Sequence, residues 1–469
     1  MPLYSDNKNI TLDYSNILQE NIGSEHGIDR SILENDFRLK RAHTDLIINR
    51  KNEKMTFLDL PFDQNIKNDI QNYVDKNRNR FDYYVHLGIG GSALGPIALQ
   101  SALRHQYFNM LSLDQRNGSP KILFLDNIDP ETTNELLDVI DVGKTLFCVV
   151  TKSGGTAETL SSFLFFLSQV KEKVGSKYAD HFVFITDPEN GFLRRQAYRE
   201  NIQSFAIPPS VGGRFSVFTP VGLLPAAFAG IDIDVLLSGA AAMVNRCKDS
   251  HLNPAFYFAL INYLFYRSGK KTVVMMPYSD SLFHIADWFR QLWAESLGKK
   301  YNKNNELVEN GPLPVNALGT TDQHSQVQLY MEGPNDKIYV FMETESHEST
   351  VLLNSPFSNS IDTEYLNGKT MNQLIHTEKT ATELALTENQ RPNMTFQFQS
   401  IDAYTIGQIL QCLEIATVVA SELFNINPFD QQGVEAGKIA TYALMGKPGF
   451  EKEKNRIQKI LEGKKRFTI

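Results

Sequence analysis

The sequence predicts an α/β protein with two doubly wound, parallel-sheet units and helical segments at both ends. Short β-rich runs alternate with helical patterns from about residue 80 to 190, and this alternation is typical of a parallel sheet. The same alternation starts again near residue 270. Because 469 residues exceed what one small core can organise, two such units are the expected arrangement.

Each predicted element ends at a turn signal. In the first unit the predicted strands are "YYVHLGIGG", "KILFLDN", "TLFCVVTKSGG" and "HFVFITD", and the helical patterns cover 92–105, about 130–139, and 156–173. In the second unit the predicted strands are "KKTVVMMPYSD" and "DKIYVFMET", and the predicted helices are "SLFHIADWFRQLWAESLGK" and 403–424.

The predicted organisation has four parts. Residues 1–55 form an N-terminal helical arm, 56–245 the first unit, 246–425 the second unit, and 426–469 a Lys-rich C-terminal helical segment. The polar stretch "NRCKDSHLN" near 245–253 is the expected boundary between the two units.

Composition excludes several classes of protein. The chain has 46 Lys and Arg against 54 Asp and Glu, so neither nucleic acid nor an anionic membrane is an expected partner. Cys148, Cys247 and Cys412 are far apart, which disfavours disulfides and structural zinc, and no residue cluster has metal-ligand spacing. The start lacks a secretory signal, and the apolar stretch 218–237 is interrupted by prolines and aspartates. We therefore expect a cytoplasmic protein with no membrane span, in which 218–237 is buried core.

A glycine-rich loop follows the first predicted strand. From Gly88 to Ala93 the sequence "GIGGSA" fits the dinucleotide fingerprint G-x-G-x-x-G/A. That fingerprint expects an acid about 20 residues later, whereas Asp126 follows Gly91 by about 35 residues. The loop therefore predicts either a nicotinamide or flavin site or a site for a smaller anion.

A second loop, "VVTKSGGTAETL", offers hydroxyls and a cation after a buried strand. Thr151, Lys152, Ser153, Thr156 and Thr159 lie within nine residues, next to two glycines and a helix start. Helix N-termini at the carboxyl ends of parallel strands favour phosphate or carboxylate. A Ser/Thr-capped helix with a glycine turn would explain the same residues, but the density of hydroxyls favours an anion site.

Polar residues on predicted helices and loops are candidates for acid–base chemistry. Gln291 and Glu295 share one helical face, with Glu295 in the last turn before Gly298. This setting would suit a general base, although from spacing alone a surface glutamate is the favoured interpretation. Arg214 follows two glycines, and a guanidinium there suits an oxyanion. His324 precedes a predicted short amphipathic strand in "TTDQHSQVQLYMEGP".

A last polar group comes near the C-terminus. "NPFDQQGVEAGKIA" places Gln431, Glu435 and Lys438 at the start of a predicted helix. From the residues alone, solvated charges are the favoured explanation of this pattern over a functional site.

Six of these segments, taken together and in order, resemble the glucose-6-phosphate isomerase family. The matching segments span about 80 to 440 and are "GIGGSALGP", "TKSGGTAET", "GGRFSVFTPVGLLP", "QLWAESLGK", "TTDQHSQVQLYMEGP" and "FDQQGVEAGK". The resemblance implies two sugar isomerase (SIS) domains and no cofactor or metal. It also implies reversible isomerisation of glucose 6-phosphate and fructose 6-phosphate through ring opening and a cis-enediol, in glycolysis and gluconeogenesis.

The resemblance also implies a role for each matching residue. Glu295 corresponds to the base that moves a proton between C1 and C2, and Arg214 to the group that stabilises the enediolate. His324 corresponds to the ring-opening histidine, contributed by the partner subunit of a homodimer, and Lys438 works beside it. The residues implied to hold the sugar or its phosphate are Gly91, Ser92, Thr151, Lys152, Ser153, Thr156, Thr159, Gln291 and Gln431.

Two departures from the family pattern, and several alternatives, accompany this interpretation. Thr151 stands where many members have Ser, as in compact bacterial forms, and Ala93 replaces a common acidic residue. An isomerase that also accepts mannose 6-phosphate, a non-catalytic sugar-phosphate sensor and a NAD-linked dehydrogenase are the alternatives. The retained candidates for catalysis argue against the sensor.

Overall fold

The computed structural model describes residues 8–357 and 360–469 and contains two five-stranded sheets. The strands are β1 (Thr11–Asp13), β2 (Tyr83–Leu87), β3 (Lys121–Leu125), β4 (Thr145–Val150), β5 (Phe182–Thr186), β6 (Gln203–Ala206), β7 (Thr272–Pro277), β8 (Lys299–Tyr301), β9 (Leu307–Asn310), β10 (Leu313–Asn316), β11 (Lys337–Thr344) and β12 (Asn393–Phe398). The predicted α/β fold class is confirmed.

The helices fill the connections between the strands. They are α1 (Gln19–Ile22), α2 (Arg30–Asn35), α3 (Phe37–Lys51), α4 (Gln64–Asn77), α5 (Leu94–Leu103), α6 (Pro130–Val139), α7 (Ala157–Val174), α8 (Phe192–Arg199), α9 (Pro220–Phe228), α10 (Ile233–Asp249), α11 (Pro254–Arg267), α12 (Phe283–Leu297), α13 (Val327–Glu332), α14 (Ile361–Glu364), α15 (Met371–Glu388), α16 (Ala403–Leu423), α17 (Gln432–Leu444) and α18 (Glu451–Gly463). The predicted helices over 92–105, 130–139, 156–173 and 403–424 are α5, α6, α7 and α16, with ends that differ by at most two residues.

The first sheet is parallel throughout, in the order β3-β2-β4-β5-β6. Strand β4 is buried along its whole length. Its alternate residues face different cores, Leu146 and Cys148 on one side and Phe147 and Val149 on the other. A strand buried on both faces has an unbroken apolar sequence, which is why "TLFCVV" is recognisable as a strand.

The second sheet has the order β1-β12-β11-β7-β10, in which β1 alone is antiparallel. β1 comes from the predicted N-terminal arm, whose residues 1–7 lie outside the described residues. β8 and β9 form a separate antiparallel pair. Helix α10 ends at Asp249, inside the predicted boundary region, and packs against α16. A helix of the predicted first unit thus contacts the second, and the domain division stays a prediction.

The segment after His324 is not the predicted strand but the helix α13. Val327, Tyr330 and Met331 recur at helical spacing and pack into one apolar cluster, where the Tyr330 ring lies 5.0 Å from that of Tyr339 on β11. Leu329, which an alternating pattern would bury, is 54% exposed. The short apolar run fits both the alternation of a strand and the 3.6-residue repeat of a helix, and the burial of Tyr330 shows that it is a helix.

Most of the apolar stretch 218–237 is buried core, as predicted, since every residue of α9 is buried, whereas Asp232 and Asp234 are exposed. Another helix, α16, is long and apolar enough to cross a membrane by length and composition, but 89% of its apolar window is buried inside the protein. It packs against α10, α11 and α12. We therefore assign α16 as a buried core helix that packs between other helices.

Candidate active site

One buried guanidinium joins elements from distant parts of the chain. Arg214 is 2% exposed and donates from Nε to Ser296 Oγ at 2.7 Å. One terminal nitrogen donates to Glu295 Oε2 at 3.1 Å and to Gln431 Oε1 at 2.7 Å, and the other donates to the Asp430 carbonyl oxygen at 3.0 Å. Although burial lowers the pKa of Arg214 from its ordinary value, an arginine stays charged. The structure thus brings three predicted site residues, Arg214, Glu295 and Gln431, into one cluster.

The carboxylate of this cluster lies at the end of α12, as predicted. Gln291, one turn earlier, donates from Nε2 to Glu295 Oε2 at 3.4 Å. Trp293 and Leu297 are fully buried in the core, and the Glu295 side chain is 24% exposed. The carboxylate therefore faces an amide, a guanidinium and solvent.

The glycine loop, residues 88–92, packs against protein where a dinucleotide site would leave a gap. A Cβ on Gly91 would lie 2.4 Å from the carbonyl carbon of Gly213, and a Cβ on Gly90 would lie 3.0 Å from Gln291 Nε2. Gly90 also has a φ of +57°, which favours glycine. The glycines thus let the chain's own loop and amide approach closely, and this packing argues against the dinucleotide interpretation.

A buried histidine makes a hydrogen bond to the backbone of the glycine loop. His86 on β2 is fully buried, and its Nε2 lies 2.7 Å from the Ser92 carbonyl oxygen. Because a carbonyl only accepts, Nε2 carries the proton and donates it. Burial lowers the pKa of His86 to about 4, so the ring is neutral at pH 7. Ser92 is therefore held through its backbone, which leaves its half-buried side chain for another partner.

Three hydroxyls converge in the second loop, residues 151–156. Thr151 Oγ1 lies 2.7 Å from Thr156 Oγ1, and Ser153 Oγ lies 3.4 Å from each. Thr156 is the N-cap of α7, yet its side chain makes no capping hydrogen bond. This hydroxyl triad therefore sits at the N-terminus of an 18-residue helix, a setting that favours an anion.

Two other predicted anion ligands point elsewhere. Lys152 donates from Nζ to the carbonyl oxygens of Pro209 at 2.7 Å and Val211 at 2.8 Å, and so ties loop 151–156 to the segment before Arg214. Thr159 is 3% exposed, and its hydroxyl lacks a hydrogen-bond partner among the described residues. It lines a small cavity of about 10 Å³ beside Gly88, away from the triad.

Among the described residues, no hydrogen bond or ion pair joins the remaining two predicted catalytic residues, His324 and Lys438, to Arg214 or Glu295. His324 is exposed on the turn Thr321–His324, and no hydrogen bond or ion pair between described residues joins it to Glu295 or Arg214. Lys438 lies on α17, where its ammonium pairs with Glu435 at 2.9 Å. Almost all of α17 is exposed, although it begins directly after Gln431.

Three residues without a predicted role, Ser296, Lys299 and Asp430, connect the segments of the site. Ser296 is fully buried and accepts the Nε bond of Arg214. Lys299 donates to the carbonyl oxygens of Glu295 at 3.1 Å and Asp430 at 2.5 Å, and pairs with Asp430 Oδ1 at 2.8 Å. The segments "AESLGK" and "FDQQ" contain these residues, but only the folded chain shows that they meet.

One open cavity lies outside this cluster. It has about 990 Å³ and lies between α4, α8 and the edge strand β6, with none of the predicted site residues in its walls. Among residues 8–357 and 360–469, no group of three or more His, Cys, Asp or Glu is arranged to hold a metal ion.

The parallel sheets, the anion-favouring loop and the carboxylate–guanidinium pair define the chain as a two-sheet α/β protein whose candidate site combines loops that follow strands with the end of a helix. The sequence profile of the phosphoglucose isomerase family matches residues 64–457. The chain belongs to this family, and family membership makes it an isomerase.

Individual relatives agree with this assignment. A protein of Carboxydothermus hydrogenoformans named glucose-6-phosphate isomerase is 45% identical over 457 residues, which are 96% of this chain and 98% of the relative. A "probable glucose-6-phosphate isomerase" of Methanococcus maripaludis is 36% identical over 94% of this chain and 95% of its own.

Solved structures share the fold. A crystal structure of a hypothetical protein from Thermus thermophilus has a TM-score of 0.82 and 35% identity, and covers 93% of this chain and all of that one. A glucose-6-phosphate isomerase from Chlamydia trachomatis has a TM-score of 0.74 at 24% identity, over 95% of this chain and 94% of its own, a likeness of fold.

Proposed function

We propose that the chain interconverts glucose 6-phosphate and fructose 6-phosphate, a step of glycolysis and gluconeogenesis. The observation that carries the proposal is the bond between Arg214 and Glu295 in a chain of this family. It places a candidate base and a fixed positive charge 3.1 Å apart. Nearby, loop 151–156 offers three hydroxyls and a helix N-terminus for the phosphate.

In the proposed reaction, one carboxylate moves one proton. In the open-chain sugar, Glu295 removes the proton from C2 and returns it to C1 through a cis-enediol. The C2 hydroxyl loses its proton and the former C1 carbonyl oxygen gains one, by exchange with water. Negative charge builds on oxygen during this transfer, and the Arg214 guanidinium offsets it. The positive charge comes from a side chain, so the proposed reaction uses no metal. The phosphate does not react, and its binding orients the sugar.

Ring opening needs a second acid and base, for which we propose His324 and Lys438. His324 is exposed on its turn, and no hydrogen bond or ion pair between described residues joins it to Glu295. We therefore propose a homodimer in which His324 of one subunit completes the site of the other. The exposed apolar side chains Ile439 and Leu444 on α17 are consistent with a further contact to a second subunit.

A coupled assay tests the proposed activity. Purified protein and fructose 6-phosphate, linked to oxidation of the glucose 6-phosphate formed, should give turnover that EDTA leaves unchanged. Activity that EDTA abolishes would contradict the metal-free mechanism. Binding of fructose 6-phosphate without turnover would instead support a sensor, and comparable turnover of mannose 6-phosphate would establish the dual isomerase.

Mixed subunits test the origin of His324. Glu295→Gln and His324→Gln homodimers should each be nearly inactive. A heterodimer of the two has one site with an intact Glu295 and an intact His324 from the other subunit. Random pairing should therefore restore about a quarter of wild-type activity. No recovery, with heterodimers shown by mass, would place His324 in its own subunit's site.

We also propose a cytoplasmic location. Cys148, Cys247 and Cys412 are buried and free of disulfides, as expected in a reducing compartment. Fractionation of cells with an antibody to the chain would test this location.

A further inference from the structure

Helix α17, which carries Lys438, contacts the site at two points. At its start, Gln431 accepts the 2.7 Å bond from Arg214. Near its end, the Tyr442 hydroxyl donates to the Gly155 carbonyl oxygen at 3.1 Å, across 287 positions in the sequence. Since α17 is otherwise almost fully exposed, these two bonds fix its position across loop 151–156.

The second contact lies beside the hydroxyl triad. The Gly155 amide donates to Ser153 Oγ at 3.3 Å, and the next residue, Thr156, supplies a hydroxyl of the triad. Because a peptide unit is planar and trans, a bond that fixes the Gly155 carbonyl also fixes the direction of the Thr156 N–H. Tyr442 therefore orients one backbone donor of the proposed phosphate site.

The same contact relates Lys438 to that site. Lys438 and Tyr442 are four residues apart on α17 and therefore share one face of the helix. The Tyr442 ring is held by its own segment, with Lys447 Nζ 3.7 Å from the ring centre and the Phe450 ring at 5.6 Å. The Tyr442 hydroxyl therefore bonds to loop 151–156. This bond directs the helix face that carries Lys438 toward the loop.

We propose that Tyr442 is a positioning residue that couples occupation of loop 151–156 to the placement of Lys438. A phosphate that orders the loop also orders the Gly155 carbonyl, which strengthens the hold on α17. The helix then keeps Lys438 over the bound sugar. This inference rests on the proposed function, because it takes phosphate as the ligand of the loop and Lys438 as a ring-opening group.

Tyr442→Phe removes the hydroxyl and keeps the ring with its contacts to Lys447 and Phe450. Hydrogen–deuterium exchange of the full-length protein, with and without saturating inorganic phosphate, reports the loop and the helix separately. In the wild type, phosphate should slow exchange in both 151–156 and α17. In Tyr442→Phe it should slow exchange in 151–156 alone. Tyr301→Phe, at a 49% exposed tyrosine on β8, should behave as the wild type.

Kinetics provide the second measurement. The loss of one neutral hydrogen bond should lower kcat for fructose 6-phosphate by about threefold to tenfold. KM should change less, because the hydroxyl triad is intact. If Tyr442 had only a structural role, Tyr442→Phe would lower the melting temperature without lowering kcat more than it changes KM.

The outcomes separate the two claims. If phosphate slows exchange in 151–156 but not in α17 of the wild type, the coupling is refuted and the phosphate site stands. If saturating phosphate leaves 151–156 unchanged, the phosphate site is refuted and the coupling with it. Wild-type kcat and wild-type exchange of α17 in Tyr442→Phe would also overturn the role of Tyr442.

Discussion

Gly91→Ala is the sharpest test of the glycine loop. The added Cβ would lie 2.4 Å from the Gly213 carbonyl carbon and 2.8 Å from the Arg214 amide nitrogen, whereas ordinary contacts begin at 3.4 Å. The two loops must therefore separate by about 1 Å, because the clash is with backbone that cannot rotate away. A displacement of that size in a positioned catalytic group costs about 10²-fold in rate.

We expect Gly91→Ala to lower kcat about 10²-fold and the free energy of unfolding by about 1–3 kcal/mol, a typical cost of overpacking. The matched control is Gly213→Ala in the facing loop, where a Cβ meets no atom within 4 Å. Thermal unfolding without substrate should separate the two variants, and the coupled assay should show the loss of rate in Gly91→Ala. Near-wild-type stability and turnover of Gly91→Ala would refute the packing argument.

Three further predictions concern other residues. Thr156→Val should raise KM for fructose 6-phosphate, and the inhibition constant of inorganic phosphate, about tenfold, while Thr159→Val changes them less; equal effects would contradict the triad. Lys299→Met should lower kcat/KM about tenfold by freeing the Asp430 turn, and Lys299→Arg should restore part of it; an unchanged rate would exclude this role. Burial raises the pKa of Glu414 well above its ordinary value of 4.5, so the folded protein binds a proton that the unfolded chain loses. Its contribution to stability is full below pH 4.5 and falls as pH rises, so Glu414→Gln should raise the melting temperature more at pH 8 than at pH 5; a pH-independent difference would show that Glu414 is not protonated.

Local pattern determined much of the fold. Buried strands such as β4 are continuous apolar runs, and Pro130 begins α6, so these elements could be recognised without neighbours. The helix α13 was predicted as a strand because its six residues fit both the alternation of a strand and the repeat of a helix. Only the packing of Tyr330 against β11 distinguishes the two. The edge strand β6 has four residues, half of them exposed, and gives little apolar signal.

Several residues of the candidate site could be named from the sequence, but their geometry could not. The motif segments identified Arg214, Glu295 and Gln431. The hydrogen bonds from Arg214 to Glu295 and to Gln431 join residues 81 and 217 positions apart, and only the folded chain shows them. The same holds for Lys299, whose partner lies 131 positions away. The placements of His324 and Lys438 at the site stay predictions, because no hydrogen bond or ion pair between described residues joins either of them to Glu295.

Proton transfer by Glu295 is the central claim, and turnover in deuterated water measures it directly. Fructose 6-phosphate is incubated with the wild type or with Glu295→Gln, and nuclear magnetic resonance follows deuterium at C2 of glucose 6-phosphate and C1 of fructose 6-phosphate. After many turnovers the wild type should label both positions, because the proton that Glu295 holds while the enediol exists exchanges with solvent before it returns to carbon. Glu295→Gln should bind the sugar and label neither. Wild-type product without deuterium, or labelling by Glu295→Gln at the wild-type rate, would contradict Glu295 as the base.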